Sequence, residues 1–217
     1  MSKKKKEEQE DAMKVITLGE SKVGKTCIIR RYIHKIFDDN NLSTIGYNTT
    51  IKNVELKNGK TIKIDIIDTA GQERYRSLAK SYFKNADAVL FIFSLNDQES
   101  FDNIINWINL FNENHNGKKG IPRYLVGNKS DLEKKVQKDV IDKLLCANKY
   151  KYYETSAKSN SGIDELFQEL SEDLYKILVE TGGNNKSQNS KKLSKYKKKT
   201  KKGLYMYCNT RIIKLIS

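Results

Sequence analysis

Gly19-Glu20-Ser21-Lys22-Val23-Gly24-Lys25-Thr26 fits the pattern GxxxxGK[ST], and it lies between an apolar run, Val15–Leu18, and an amphipathic stretch, Lys25–Ile36. A strand followed by a glycine-rich turn and then a helix is the context in which that pattern binds phosphate. The glycines let the backbone wrap so that several N–H groups converge on phosphate oxygens. The start of the helix adds favourable partial charge. A lysine at position 25 reaches the β- and γ-phosphates, and the Thr26 hydroxyl can ligate Mg²⁺. A nucleotide-binding loop is the reading.

Outward from this loop, apolar runs alternate with amphipathic stretches. Ile51–Leu56 and Ile62–Ile67 alternate apolar and polar residues around Lys57-Asn58-Gly59-Lys60, a hairpin signature. Ala88–Leu95 is a continuous apolar run suited to a central strand covered on both faces. Ser100–Phe111 reads as a helix, with Phe101, Ile104, Ile105, Ile108 and Phe111 on one stripe. Short strands are expected over Tyr124–Val126 and Tyr150–Glu154, and helices over Val136–Ala147 and Ile163–Leu178. This alternation predicts an α/β fold, a six-stranded, mostly parallel sheet with helices on both faces. Ligands of such sheets sit at the carboxyl ends of the strands, and every further motif falls there.

Asp68-Thr69-Ala70-Gly71 follows the third expected strand. An acid there can hold Mg²⁺ through water, and a glycine N–H can touch a γ-phosphate, although Asp and Gly after a strand also make an ordinary turn. Gln72, directly after, is placed to orient an attacking water. Asn128-Lys129-Ser130-Asp131 follows the Tyr124–Val126 run. A carboxylate at Asp131 can accept two hydrogen bonds from guanine N1 and N2, a donor pair adenine lacks, so ATP would leave a polar site unpaired. In so Asn- and Lys-rich a chain this tetrapeptide arises readily by chance; its place at a strand end, in order after the phosphate loop, gives it weight. Thr155-Ser156-Ala157-Lys158 ends the last strand, where the Ala157 N–H can donate to guanine O6.

Charge divides the chain. Of a net +14, residues 181–217 contribute +11 without a single acid, the first twelve residues balance four lysines against four acids, and the 168 residues between hold only +3. Residues 1–12 and about 181–203 are polar, nearly free of large apolar groups, and expected to be disordered flanks of a folded body over 13–180. Cys27, Cys146 and Cys208 are odd in number and far apart, which offers neither a disulfide framework nor a metal-binding pair and points to a reducing, intracellular compartment. No signal-like apolar stretch and no long apolar window is found, so neither secretion nor a membrane span is expected. His34 and His115 are expected at the surface, Trp107 at a helix surface or rim, and Tyr152 and Tyr153 in strand packing.

GESKVGKT, DTAGQE, NKSD and ETSAK, in that order and spacing, resemble the small GTPases of the Ras superfamily over about residues 13–180. Ser43-Thr44-Ile45-Gly46, Arg74-Tyr75 and Tyr82-Phe83-Lys84-Asn85-Ala86 resemble the Rab branch. The resemblance implies a GTP/GDP switch that hydrolyses GTP with Mg²⁺, slowly without an activating protein. It implies Thr26, Thr44 and (through water) Asp68 at the metal, and Gln72 and Lys25 in catalysis. Gly19, Ser21, Lys22, Val23, Gly24, Lys25, Thr26, Cys27 and Gly71 would surround the phosphates. Phe37, Asn128, Lys129, Asp131, Ser156, Ala157 and Lys158 would surround the base, with the two lysines laying their stems on its faces and Asn128 tying the base loop to the phosphate loop. Exchange factors, activating proteins and effectors would engage residues about 37–50 and 70–84. A cytoplasmic switch in vesicle traffic, peripheral on endomembranes, is the implied role.

The departures from the Rab pattern are specific. Thr49 and Ile67 stand where relatives carry an aromatic and a Trp, Lys22 replaces a small residue, and Asn41 stands where many place a Tyr. Cys208 lies nine residues before the end and forms no CaaX box, so the terminal prenyl group of Rab proteins is not expected on the chain as written. The Lys191–Lys202 cluster can attract an anionic membrane at about 1 kcal/mol per charge near the surface, or serve as a solvated spacer. Nucleic acid is disfavoured, since only Tyr196 interleaves that cluster. The alternatives are a GTP-binding scaffold with negligible hydrolysis, a soluble signalling GTPase, and an ATP-using enzyme with the same phosphate loop.

Overall fold

The computed structural model describes residues 12–38, 47–70, 82–115 and 120–186. Thr44, Gly71 and Gln72, together with the flanks 1–11 and 187–217, lie outside the described residues. The described residues up to Glu180 form one compact unit.

Six strands, β1 (Met13–Leu18), β2 (Tyr47–Glu55), β3 (Thr61–Thr69), β4 (Ala88–Ser94), β5 (Arg123–Asn128) and β6 (Lys151–Glu154), make one sheet in the order β2-β3-β1-β4-β5-β6. Only the β2–β3 pair is antiparallel. Its connection turns at Lys57–Lys60, where Gly59 N–H donates to Leu56 O and Lys60 N–H to the Asn58 side chain. Among the described residues the helices are α1 (Lys25–His34), α2 (Gln98–Asp102), α3 (Ile104–Asn114), α4 (Lys138–Ala147) and α5 (Ile163–Lys186).

The two-residue period of a strand sends neighbouring side chains to opposite faces, and two separate cores follow from it. Val15, Ile64, Leu90, Ile92 and Val126 point to one face, where Ile28 and Tyr32 of α1 and Leu166, Phe167 and Leu170 of α5 cover them. Ile16, Leu18, Val89, Phe91, Phe93 and Leu125 point to the other, under Phe101 of α2, Trp107 and Phe111 of α3, and Ile141 of α4. All seven residues of β4 are buried, which is why that strand reads as an unbroken apolar run. From β1 the chain adds β3 and β2 on one side, while β4, β5 and β6 extend the other. The strand order therefore switches direction between β1 and β4, the place at which sheets of this kind receive ligands at their carboxyl ends.

Three expectations need correction. The helix expected over Ser100–Phe111 is two helices meeting at Asn103. Asp97 caps α2 by accepting from Ser100 N–H, which starts the helix earlier, and Asn106 N–H bonds to Asn103 O three residues back, which tightens the chain where α3 begins. Its buried stripe also differs: Ile105 is 43% exposed, and Trp107 is fully buried in its stead. Trp107 is thus a core residue, because its indole N–H finds an acceptor in the phosphate loop. His115 is not a free surface residue either. It is half-buried, its ring stacks on Phe111, and its Nε2 lies 3.3 Å from Ala86 O.

Candidate functional site

Four strand ends deliver the sequence motifs to one rim of the sheet. β1 ends at Leu18 and runs into the loop Gly19–Gly24, β3 ends beside Asp68, β5 ends at Asn128, and β6 leads into Thr155.

The loop is shaped by two glycines that no other residue can replace. Gly19 has φ +148, and a Cβ there would lie 2.0 Å from Ile92 O of the adjacent strand. Gly24 has φ +97, and a Cβ there would lie 2.3 Å from Asn128 Nδ2. Close approach of the Ile92 carbonyl at one and of the Asn128 amide at the other leaves no room there for a side chain. Lys22, in the left-handed region at φ 64, is exposed, so its long side chain stays out of the loop interior. Val23 is buried in the core, while Ser21 and Cys27 are half-buried.

α1 starts at Lys25 with Gly24 as its cap residue. Gly24 itself makes no side-chain cap bond, and the first turn holds no acid. The first-turn N–H groups therefore form a positive end without a built-in counter-charge, a site suited to an anion. The Lys25 ammonium is 5% exposed and donates to Gly19 O at 2.9 Å and Glu20 O at 2.8 Å. Carbonyls orient the charge without neutralising it. Burial pushes the Lys25 pKa down to about 8 against the pull of Asp68 and Glu20.

Next to it, Thr26 Oγ1 donates to Asp68 Oδ2 at 2.7 Å. Asp68 is 5% exposed, and its Oδ1 is buried without a hydrogen-bond partner. Burial holds its carboxyl above the ordinary carboxylate range, opposed by the Thr26 bond and by the charges of Lys25 and Arg30. A buried carboxylate oxygen with no donor, beside a threonine hydroxyl and the phosphate loop, is a donor set that fits a hard divalent cation. Among the described residues no group of three or more His, Cys, Asp or Glu side chains could hold a metal. An ion bound here would draw most of its ligands from water and phosphate, the habit of Mg²⁺.

The third motif closes over the first. Asn128 is buried; its Nδ2 donates to Val23 O at 2.8 Å, and its Oδ1 accepts from Thr155 Oγ1 at 3.2 Å and from Ala157 N–H at 3.4 Å. One amide thereby joins the phosphate loop, the β5 end and the β6 loop. Lys129 takes φ 63, which turns the chain so that Ser130 N–H meets Thr155 O. The Asp131 carboxylate then accepts from the Ser156 hydroxyl, which also receives Ser159 N–H. Asp131 and Lys158 are exposed at this rim, whereas Ser156 and Ala157 are buried.

Phe37 sits half-buried against the α1 core, with the Arg31 guanidinium 5.8 Å from its ring centroid. Two residues that sequence reasoning did not single out reach into the site. Glu20 Oε1 accepts from Trp107 Nε1, and Arg31 bonds the carbonyls of the 157–158 loop. Neither has a local signal, since the partners stand 87 and 126 positions away.

The Ras family model matches residues 14–176. Ras-related protein Rab-13 of Bos taurus is 39% identical over 180 residues, covering 82% of this chain and 86% of the relative. Ras-related protein Rab-8B of Homo sapiens is 38% identical over 163 residues, covering 74% and 77%. Ras-related protein Rab-10 of Diplobatis ommata is 38% identical over 163 residues, covering 74% and 80%.

Proposed function

We propose, because the chain belongs to the Ras family in its Rab-like branch, that it is a guanine-nucleotide switch that hydrolyses GTP to GDP and phosphate. The observation that carries this reading is the junction at Asn128. That side chain bonds the phosphate loop and the residue 155–157 turn at once, so a phosphate cradle and a base pocket are held at a set spacing.

The residues divide the work. The first-turn amides of α1 and the Lys25 ammonium bind the phosphates and stabilise charge that develops on them. Thr26 and Asp68 would hold Mg²⁺, which when bound neutralises the β- and γ-phosphate oxygens. Asp131 accepts from the guanine edge, and Lys129 and Lys158 lie along the base faces. Thr44 and Gly71 would sense the γ-phosphate, and Gln72 would orient the hydrolytic water. No arginine is placed in cis at the phosphates by this reading, so turnover is slow and an activating protein completes the site. Loss of the γ-phosphate releases the segments around Thr44 and Gly71, which is the switch.

The Rab-like branch supports a role in vesicle traffic, with exchange factors, activating proteins and effectors engaging residues about 37–50 and 70–84. The basic segment 191–202 supports attraction to an anionic membrane. Single-turnover hydrolysis of bound GTP, with Gln72→Leu as the comparison, tests the switch. Turnover in the chain that falls in the variant, with GDP affinity retained, is expected; equal turnover in both removes Gln72 from the mechanism. No measurable turnover, even with cell extract, makes the chain a GTP-binding scaffold. The mass of the C-terminal peptide from the native cell tests membrane cycling: a lipid mass supports it, and an unmodified peptide makes a soluble or electrostatically tethered switch the better reading.

A further inference from the structure

Arg31 lies in the last turn of α1, away from the phosphates, and all of its nitrogens are engaged. Nε donates to Ala157 O at 2.7 Å, Nη2 to Lys158 O at 2.9 Å, and Nη1 to Lys35 O at 2.9 Å. Its Cζ stands 5.8 Å from the centroid of the Phe37 ring. Lys35 ends α1 in the left-handed conformation at φ 58 and turns the chain toward Phe37. Two walls of one pocket thus hang on a single planar cation. One wall is the Lys35–Phe37 segment that leads toward Thr44. The other is the Ala157–Lys158 turn.

The chemistry suits a clamp. A guanidinium offers five donors in a rigid fork, so it can serve three carbonyls from two directions, whereas a lysine ammonium has neither the span nor the fixed geometry. Carbonyl acceptors of a charged donor make stronger bonds than neutral pairs. The other side-chain tie of the Lys35–Phe37 segment in this region runs to the start of α5, where Lys35 Nζ reaches Asp164 Oδ1, and it is weaker, since both side chains are more than half exposed.

We propose that Arg31 is a positioning residue for nucleotide retention, fastening the Phe37 segment to the Ala157–Lys158 turn so that the two sides of the base pocket part only when its guanidinium lets go. This rests on the reading that residues 128–131 and 155–158 receive a guanine base. It follows that a partner that displaces Phe37 loosens the base turn through Arg31, without touching that turn.

The test is release of fluorescently labelled GDP from the full chain into excess unlabelled GDP at fixed Mg²⁺. It compares the natural protein with Arg31→Met, Arg31→Lys and the core control Leu174→Val, each with a thermal unfolding curve. Arg31→Met keeps much of the stem and removes every donor; Arg31→Lys keeps charge and puts one donor nitrogen in place of three. Release about tenfold or more faster in Arg31→Met is expected, with Arg31→Lys between it and the natural chain. The control is expected to unfold earlier yet release at the natural rate. Should Arg31→Met fail to fold, the Arg31→Lys comparison decides alone. A natural chain that holds labelled GDP, with Arg31 variants releasing it at the same rate or no faster than the control, overturns the clamp. A natural chain that never retains GDP overturns the guanine reading and the clamp together.

Discussion

Trp107 Nε1 donates to Glu20 Oε1 at 2.9 Å, joining a fully buried indole on α3 to the second residue of the phosphate loop. Glu20 also gives its backbone carbonyl to Lys25, and its charge favours the protonated Lys25. Trp107 is the only tryptophan in the chain, so its emission reports on one place. Nucleotide binding is expected to shift that emission, because Lys25 is drawn toward phosphate and Glu20 is its neighbour. Trp107→Phe removes a donor to a charged acceptor and is expected to lower unfolding stability by about 1.5–3 kcal/mol. Denaturant unfolding measures the second effect. Emission that does not change on GDP binding removes the contact as a reporter.

Gly24 offers a steric test of the junction between the two loops. A methyl group at this position meets the Asn128 amide at 2.3 Å, and φ +97 is strained for any other residue. Gly24→Ala must displace the side chain that bonds Val23 O, Thr155 and Ala157. Strain of this kind costs about 1–3 kcal/mol, and GDP affinity is expected to fall by more than the strain alone implies. Equilibrium GDP binding, alongside thermal unfolding, separates the two. Unchanged affinity would mean that Asn128 is not what spaces the loops.

Much of this was readable from the chain because its signals are local. The unbroken run of β4, the alternation of β3 and the glycines of the phosphate loop each state their structure within a few residues. What escaped were contacts set by distant partners. The stripe on α3 fits Ile105 as well as Trp107 by periodicity, and only the acceptor at Glu20 turns the indole inward. The break at Asn103 depends on a cap at Asp97 and a three-residue hydrogen bond, neither of which disturbs the apolar spacing. Arg31 looks like any cation near a helix end until Ala157 and Lys158 are brought beside it.

Asp131 tests base recognition directly. Its carboxylate accepts from Ser156 and stands at the rim where the base edge would meet it. Asp131→Asn converts an acceptor-only group into one with donors, which matches xanthine better than guanine. GDP affinity is expected to fall by about a thousandfold or more, since a site built on polar pairing rejects a mismatched edge strongly, while xanthosine diphosphate gains. Competition binding of the two nucleotides measures the exchange. A variant that keeps its guanine preference overturns the assignment of Asp131.

Lys25 predicts a pH dependence whose sign follows from its burial. Its pKa is pushed down from 10.5 to about 8 in the folded chain. Between those values the unfolded chain binds more protons, so this group's penalty on folding is largest below about pH 8 and is relieved as pH rises toward 10.5. Nucleotide binding runs the other way, because phosphate favours the ammonium and holds its proton. At pH 8.5 a substantial fraction of Lys25 is neutral before binding and charged after it, so binding takes up a proton and affinity declines as pH rises past 8. Calorimetry of GDP binding at pH 8.5 in two buffers of different ionisation enthalpy measures that uptake. A net uptake that disappears at pH 6.5 is expected; equal heats in both buffers at pH 8.5 would mean that Lys25 carries its charge in the free chain as well.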